Sequence, residues 1–314
     1  MKDPLHTLFF KDFKAQNGKT IDLTLSYQIF GKPLHTAPVV LINHALTGNS
    51  NVTGDDGWWK KLVGDHQPID TTRFTVLAFN VPGNGFDDFF IDDYTVFKAS
   101  DIAKAFLDGL ESLKIKKLFA LVGGSVGGAI GWEMLAINPQ LTEIFIPIAT
   151  DHKTTDWLHS ECLVQQFLLE SESQPLEKAR IHAMLCYRTP ESLNGRFNRE
   201  KLADNALLKS HDWLNFHGRS LGERFSLKAY RLMNHLLMNI DVSEENLKKI
   251  QAEIHLIAVD SDLFFPALEI KKTYDLLKEN EKNIFYHEIK SVHGHDAFLM
   301  EYDQMKNILN SIFN

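Results

Sequence analysis

The sequence predicts an α/β fold built on a doubly wound, mostly parallel sheet, and three observations carry that prediction. Short, continuous apolar runs recur along the chain. Helical segments separate them, and a long block of purely helical pattern interrupts the alternation near the middle. Apolar runs of that kind suit parallel strands buried on both faces, and strands alternating with helices build a doubly wound sheet.

The elements follow in order. Residues 9–13 and 20–30 are rich in β-formers and flank Asn17-Gly18, a strong hairpin signal, so the chain opens with an antiparallel pair. Parallel strands are expected at 39–42, 74–79, 118–122, 144–148 and 254–259, with one more at 283–289. Helices are expected at 95–114 and 128–138, the second stopped by Pro139. Between 154 and 247 every segment reads as helix: 157–170, 176–187, 199–216 and 226–239. Residues 1–153 and 248–314 therefore form a core domain, and residues 154–247 a helical lid inserted in it.

Gly123-Gly124-Ser125-Val126-Gly127-Gly128 follows the strand ending at Val122 and opens the helix after it. This is G-x-S-x-G in its strand–turn–helix setting, the nucleophile turn of the α/β-hydrolase fold. The turn raises the Ser125 hydroxyl above the sheet, and the N–H of Val126 can face a developing oxyanion. Neither G-x-G-x-x-G nor the P-loop pattern is present, which removes the nucleotide-binding reading of a glycine-rich turn.

A serine hydroxyl needs a base, and in this fold the partners follow in the order Ser, acid, His. The strand at 254–259 leads into Asp260-Ser261-Asp262, and the strand at 283–289 leads toward His293-Gly294-His295-Asp296. Position leaves Asp260 and Asp262 open as the acid, and His293 and His295 open as the base. The second oxyanion donor should come from Asn43-His44-Ala45-Leu46-Thr47-Gly48-Asn49-Ser50, with the Leu46 N–H as candidate. His44 is expected to fix that loop rather than to act as a base.

The segments just described resemble the homoserine O-acetyltransferases of methionine biosynthesis. The resemblance rests on His44-Ala45-Leu46-Thr47-Gly48, on the Ser125 turn, on Ser261-Asp262 with Phe265-Pro266, and on Gly294-His295-Asp296-Ala297-Phe298-Leu299. A fifth block, Ala179-Arg180-Ile181-His182-Ala183-Met184-Leu185-Cys186-Tyr187-Arg188, looks like the family's A-R-x-I-A-x-x-x-Y-R segment. The resemblance implies Ser125 as nucleophile, Asp262 as orienting acid and His295 as base, with Leu46 and Val126 supplying the oxyanion hole. It also implies that Arg180, Tyr187 and Asp296 hold homoserine. A guanidinium fork suits an α-carboxylate, and a carboxylate suits an α-ammonium. Acetyl-CoA would be a substrate, with no permanently bound cofactor and no metal. A homodimer through the lid is a further expectation.

Two departures from the family pattern stand out. Val126 occupies the usual methionine position after the nucleophile, and the glycine-rich stretch after the second parallel strand is shortened to residues 80–88. The shortening favours an alternative, a serine esterase with the same three residues and water as acceptor. A non-catalytic binding protein on this fold is the third reading, and a complete Ser, Asp and His set argues against it.

Composition excludes other classes. With 33 basic and 41 acidic residues the formal net charge is −8, which opposes a nucleic-acid footprint or attraction to an anionic membrane. Two cysteines, Cys162 and Cys186, make no disulfide framework and are expected as reduced core residues. The start, Met1-Lys2-Asp3-Pro4, lacks the apolar stretch of a secretory signal, and no run suits a membrane span, so a cytoplasmic protein is expected.

Overall fold

A computed structural model describes residues 4–203 and 207–313; residues 1–3, part of the start read above, lie outside them. β1 (His6–Lys14) and β2 (Thr20–Gly31) form the antiparallel hairpin, with Gly18 at φ +87 in its turn. β3 (Val39–Asn43) precedes a small parallel pair, β4 (Val63–Gly64) and β5 (Ile69–Asp70), and then β6 (Thr75–Phe79). β7 (Leu118–Gly124), β8 (Thr142–Ile148), β9 (Glu253–Val259) and β10 (Ile284–Ile289) complete an eight-stranded sheet in the order β1-β2-β6-β3-β7-β8-β9-β10. From β6 to β10 every pairing is parallel. The chain has an α/β-hydrolase fold.

The central strands are mostly apolar because both faces are covered. Val40, Ile42, Val76, Ala78, Val122 and Ile257 join a core with Trp59 and with Met305, Leu309 and Phe313 of α10 (Tyr302–Phe313). The alternate residues Leu41, Leu77, Leu121, Phe145 and Leu256 enter the core of the opposite face. That second core takes Ile102 and Phe106 from α1 (Ala99–Ser112) and Ile130 and Met134 from α2 (Val126–Ile137). The period-two split, with apolar residues on both sides, is the signature of a sheet buried between two helical layers.

The helical block contains α3 (Asp156–Leu169), α4 (Pro175–Tyr187), α5 (Pro190–Phe197), α6 (Lys209–Arg224) and α7 (Leu227–Met238). Its two ends meet. The Thr154 N–H donates to Ile240, the Val242 N–H donates to His152, and Lys153 pairs with Asp241 between them. α8 (Glu244–Lys249) runs across the expected end of the lid at 247, and α9 (Ala267–Glu279) follows β9; Leu247 and Ile270 pack into the core.

The helix expected at 199–216 needs correction. Asn198 caps α5 at φ +41 and Arg199 follows at φ +59, so the backbone turns left-handed there instead of continuing as helix. The chain loops until the Lys209 N–H meets the Glu200 carbonyl, and α6 then runs on to Arg224; residues 204–206 of the expected helix lie outside the described residues. Gly218 does not end the helix, because it packs close to Glu177 of α4. No helix among the described residues is long and apolar enough to cross a membrane.

Candidate active site

Ser125 sits where β7 turns into α2, at φ +54 and ψ −130, a conformation that L-residues rarely adopt. The turn is possible only because its neighbours lack side chains. A Cβ on Gly123 would lie 2.5 Å from the Gly127 carbonyl, and one on Gly127 would lie 2.4 Å from the Asn43 carbonyl oxygen. The Ser125 N–H donates to Ile148 at 2.8 Å, tying the turn to β8. Its hydroxyl therefore stands at the carboxyl end of the sheet, where loops from four strands converge.

His295 reaches it from a 3-10 turn, Gly294–Leu299, after β10. His295 Nε2 lies 2.9 Å from Ser125 Oγ, and Nδ1 lies 2.7 Å from Asp262 Oδ2. Asp262 follows β9, and its other oxygen, Oδ1, accepts the Phe264 and Phe265 N–H groups at 2.7 and 2.9 Å. All three residues are buried. Phe264, Phe265, Phe298 and Tyr187 surround the imidazole ring with centroids 5.1–5.7 Å away. That aromatic wall limits the ring to one orientation.

The two alternatives left open by position take other places. His293 accepts from Arg188 Nη2 at 3.1 Å and meets Ser192 Oγ at 3.0 Å, away from Ser125. Asp260 accepts the Ser291 N–H at 3.0 Å, and Lys290 approaches its other oxygen at 3.8 Å.

The loop after β3 brings Leu46 to the pocket, and Val126 supplies the first amide of α2, which has no intrahelical acceptor. His44 fixes this loop. Its Nε2 accepts the Val81 N–H at 3.0 Å, so Nδ1 carries the proton and donates to the Ala45 carbonyl at 2.7 Å. Burial drives its pKa down to about 4, so the ring is neutral. Asn80 completes the brace: Oδ1 accepts the Ser50 N–H at 2.8 Å, and Nδ2 donates to Ser26 and Ser50 hydroxyls. Sequence reasoning had read residues 80–88 only as a shortened loop. The signal was present in Asn80 and Asn84, two amides four residues apart that now lie buried against the His44 loop.

Arg180 and Tyr187 come from one face of α4, and Asp296 follows His295 directly. All three line the pocket that holds Ser125, Leu46 and His295. The Arg180 guanidinium lies 5.8 Å from the Tyr187 ring centroid. Neither Arg180 nor Asp296 has a hydrogen-bond or ion-pair partner among the described residues. Burial pushes the Asp296 carboxyl up, against the pull of Arg180, His295 and Arg188. Burial likewise holds the Tyr187 phenol well above its ordinary range, so it stays protonated.

Comparisons with known proteins point the same way as the geometry. The family model for the alpha/beta hydrolase fold matches residues 38–267. Among curated relatives, a homoserine O-acetyltransferase of Deferribacter desulfuricans is 26% identical over 364 aligned positions, covering 98% of this chain and 96% of the relative. The crystal structure of homoserine O-acetyltransferase from Bacillus anthracis superposes with a TM-score of 0.87 at 20% identity, covering 100% of this chain and 98% of that one. Esterase E22 superposes at 0.88 with 15% identity, covering 99% of this chain and 100% of its own.

Proposed function

The chain belongs to the α/β hydrolase fold family and is an enzyme, an acyltransferase or a hydrolase, and from that membership we propose that it acetylates the hydroxyl of homoserine. Acetyl-CoA is the donor and Ser125 carries the acetyl group between donor and acceptor. His295 takes the Ser125 proton, and the oxygen attacks the thioester carbonyl. The oxyanion is held by the Leu46 and Val126 N–H groups, and its collapse expels the CoA thiolate. His295, oriented by Asp262, then takes the homoserine proton as that hydroxyl attacks the acetyl-enzyme.

One observation carries the choice of acceptor. Arg180 and Asp296, of opposite charge and with no hydrogen-bond or ion-pair partner among the described residues, line the same small cavity as Ser125. Such a pair suits the α-carboxylate and α-ammonium of a free amino acid and has no evident use with a neutral ester. A cavity of about 80 Å³ favours a short acyl group. The curated relatives named homoserine O-acetyltransferase support this reading.

Mixing the enzyme with acetyl-CoA and then offering homoserine or buffer alone tests it. Intact-mass spectrometry should find an adduct of one acetyl group, discharged to O-acetylhomoserine far faster than to water. An adduct that water clears as fast as homoserine does would move the protein to the hydrolase reading. That second reading is favoured by the shortened 80–88 loop and by structural neighbours that are an esterase and an acetylester hydrolase. Exposed Leu163, Val164 and Phe167 on α3 support pairing of two copies through the lid.

A further inference from the structure

α3 and α4 pack against each other, and α4 has two working faces. Arg180 and Tyr187, seven positions apart, face the pocket. His182 and Cys186, four apart, share the other side of the helix and meet Glu161 of α3. The donor atoms of Glu161, His182 and Cys186 all lie within 4.8 Å of one another. Cys186 Sγ donates to Glu161 Oε2 at 2.8 Å, His182 Nε2 lies 3.7 Å from the same oxygen, and sulfur and Nε2 are 3.9 Å apart. Gln165, one turn along α3 and only 5% exposed, gives its Nε2 to the Ala179 carbonyl and to His182 Nδ1. Its own Oε1 has no partner among the described residues.

We propose that Glu161, His182 and Cys186 bind a divalent cation of the zinc type, which clamps α3 to α4 behind the acceptor-binding face. A thiolate, an imidazole and a carboxylate are the donors zinc takes, and with Zn–S about 2.3 Å and Zn–N or Zn–O about 2.0–2.2 Å, tetrahedral ligands stand about 3.3–3.6 Å apart. The two separations to Nε2 need to close by only a few tenths of an ångström. The sulfur–oxygen pair must open by under ~1 Å, and it is held short by the thiol proton that binding removes. The cation enters, the thiol proton leaves to solvent, and the His182 ring proton passes from Nε2 to Nδ1, where the Gln165 amide turns to accept it with its unpartnered Oε1; the S–H···O hydrogen bond is exchanged for metal bonds from sulfur, imidazole nitrogen and carboxylate oxygen. Exposure of 26% at His182 leaves a way in from the surface. The helical spacing of His182 and Cys186 is legible in the sequence; the third ligand, from another helix, is not.

The full-length protein, stripped with a chelator, is titrated with Zn²⁺ and separately with Co²⁺. One equivalent should bind, and cobalt should raise a near-ultraviolet thiolate charge-transfer band. Zinc should also raise the melting temperature by a few degrees. Cys186→Ser should abolish the band and weaken zinc binding at least about tenfold, and His182→Gln should weaken it similarly. Cys162→Ser should keep both. Absence of saturable uptake by the unmodified protein overturns the proposal whatever the variants do, and so does an undiminished band in Cys186→Ser.

Discussion

Asp262 holds His295 with one carboxylate oxygen while the other is committed to the backbone. Oδ2 lies 2.7 Å from His295 Nδ1, and Oδ1 accepts two amide hydrogens, from Phe264 and Phe265. The carboxylate therefore cannot rotate without leaving two buried donors unpaired.

That anchoring determines what an amide would do in its place. In Asp262→Asn the amide oxygen stays on the two backbone donors and the NH₂ group faces Nδ1. The ring must then carry its proton on Nε2, where it can no longer accept from Ser125. Turnover should fall by about 10⁴, as expected for a base held in the wrong tautomer, with the melting temperature almost unchanged. Stopped assays on the purified variant, with thermal unfolding alongside, check both halves.

Ser125 adopts its turn against its own side chain. Strain at such a residue is on the order of 1–3 kcal/mol, and glycine relieves it where alanine does not. Ser125→Gly and Ser125→Ala should both be inactive and free of acetyl adduct. Glycine should nonetheless be the more stable by about 1 kcal/mol, after its greater unfolded-state entropy is counted. Urea denaturation of the pair measures the difference, and equal midpoints would remove the claim of strain.

The acceptor reading rests on Arg180. Losing one charged hydrogen bond costs about 1.5–3 kcal/mol, so Arg180→Ala should slow acetyl transfer to homoserine by about 10- to 150-fold in kcat/KM. The first step, acetylation of Ser125 followed by rapid-quench mass spectrometry, should change much less. Equal losses in both steps would place Arg180 in the general architecture of the pocket.

Two buried groups set opposite pH slopes on stability. His44 sits at about 4 in the fold against an ordinary value of 6.5, so its contribution is full above pH 6.5 and is lost as pH falls toward 4. Glu133, pushed up to about 7 from 4.5 by burial, contributes fully below pH 4.5 and loses that contribution as pH rises through 7. Each spans on the order of 3 kcal/mol, and between pH 4.5 and 6.5 they offset. Glu133→Gln should expose the His44 slope, losing about 2–3 kcal/mol on acidification across that window relative to the unmodified protein. Urea unfolding at three pH values tests it; parallel stability curves would contradict it.

The sheet and the Ser125 turn were legible because their causes are local. Doubly buried strands are apolar over most of their length, and Gly123 answers to a backbone clash with Gly127 within the motif itself. The choices between Asp260 and Asp262 and between His293 and His295 were not legible from spacing. They depend on which side of a loop faces the serine, and that is decided by partners far along the chain, Ser291 for Asp260 and Arg188 for His293. The start of α6 was misplaced because two consecutive left-handed residues, Asn198 and Arg199, interrupt a stretch whose composition is helical.

The closure of the lid's two ends on each other, through Thr154 with Ile240 and His152 with Val242, makes that segment a cassette. Ser125, Asp262, His295 and Asp296 are borne by segments at the end of the sheet, whereas Arg180 and Tyr187 lie on the cassette. Its ends form a fixed docking port, but Tyr187 also packs on the His295 ring, so a foreign helical block with matching ends would have to carry an aromatic side chain at that place. The proposed acceptor pair is thereby divided between two parts of the chain, Arg180 on the insert and Asp296 beside His295 on the sheet, so substrate range can diversify at one end of the pair while the other stays constant.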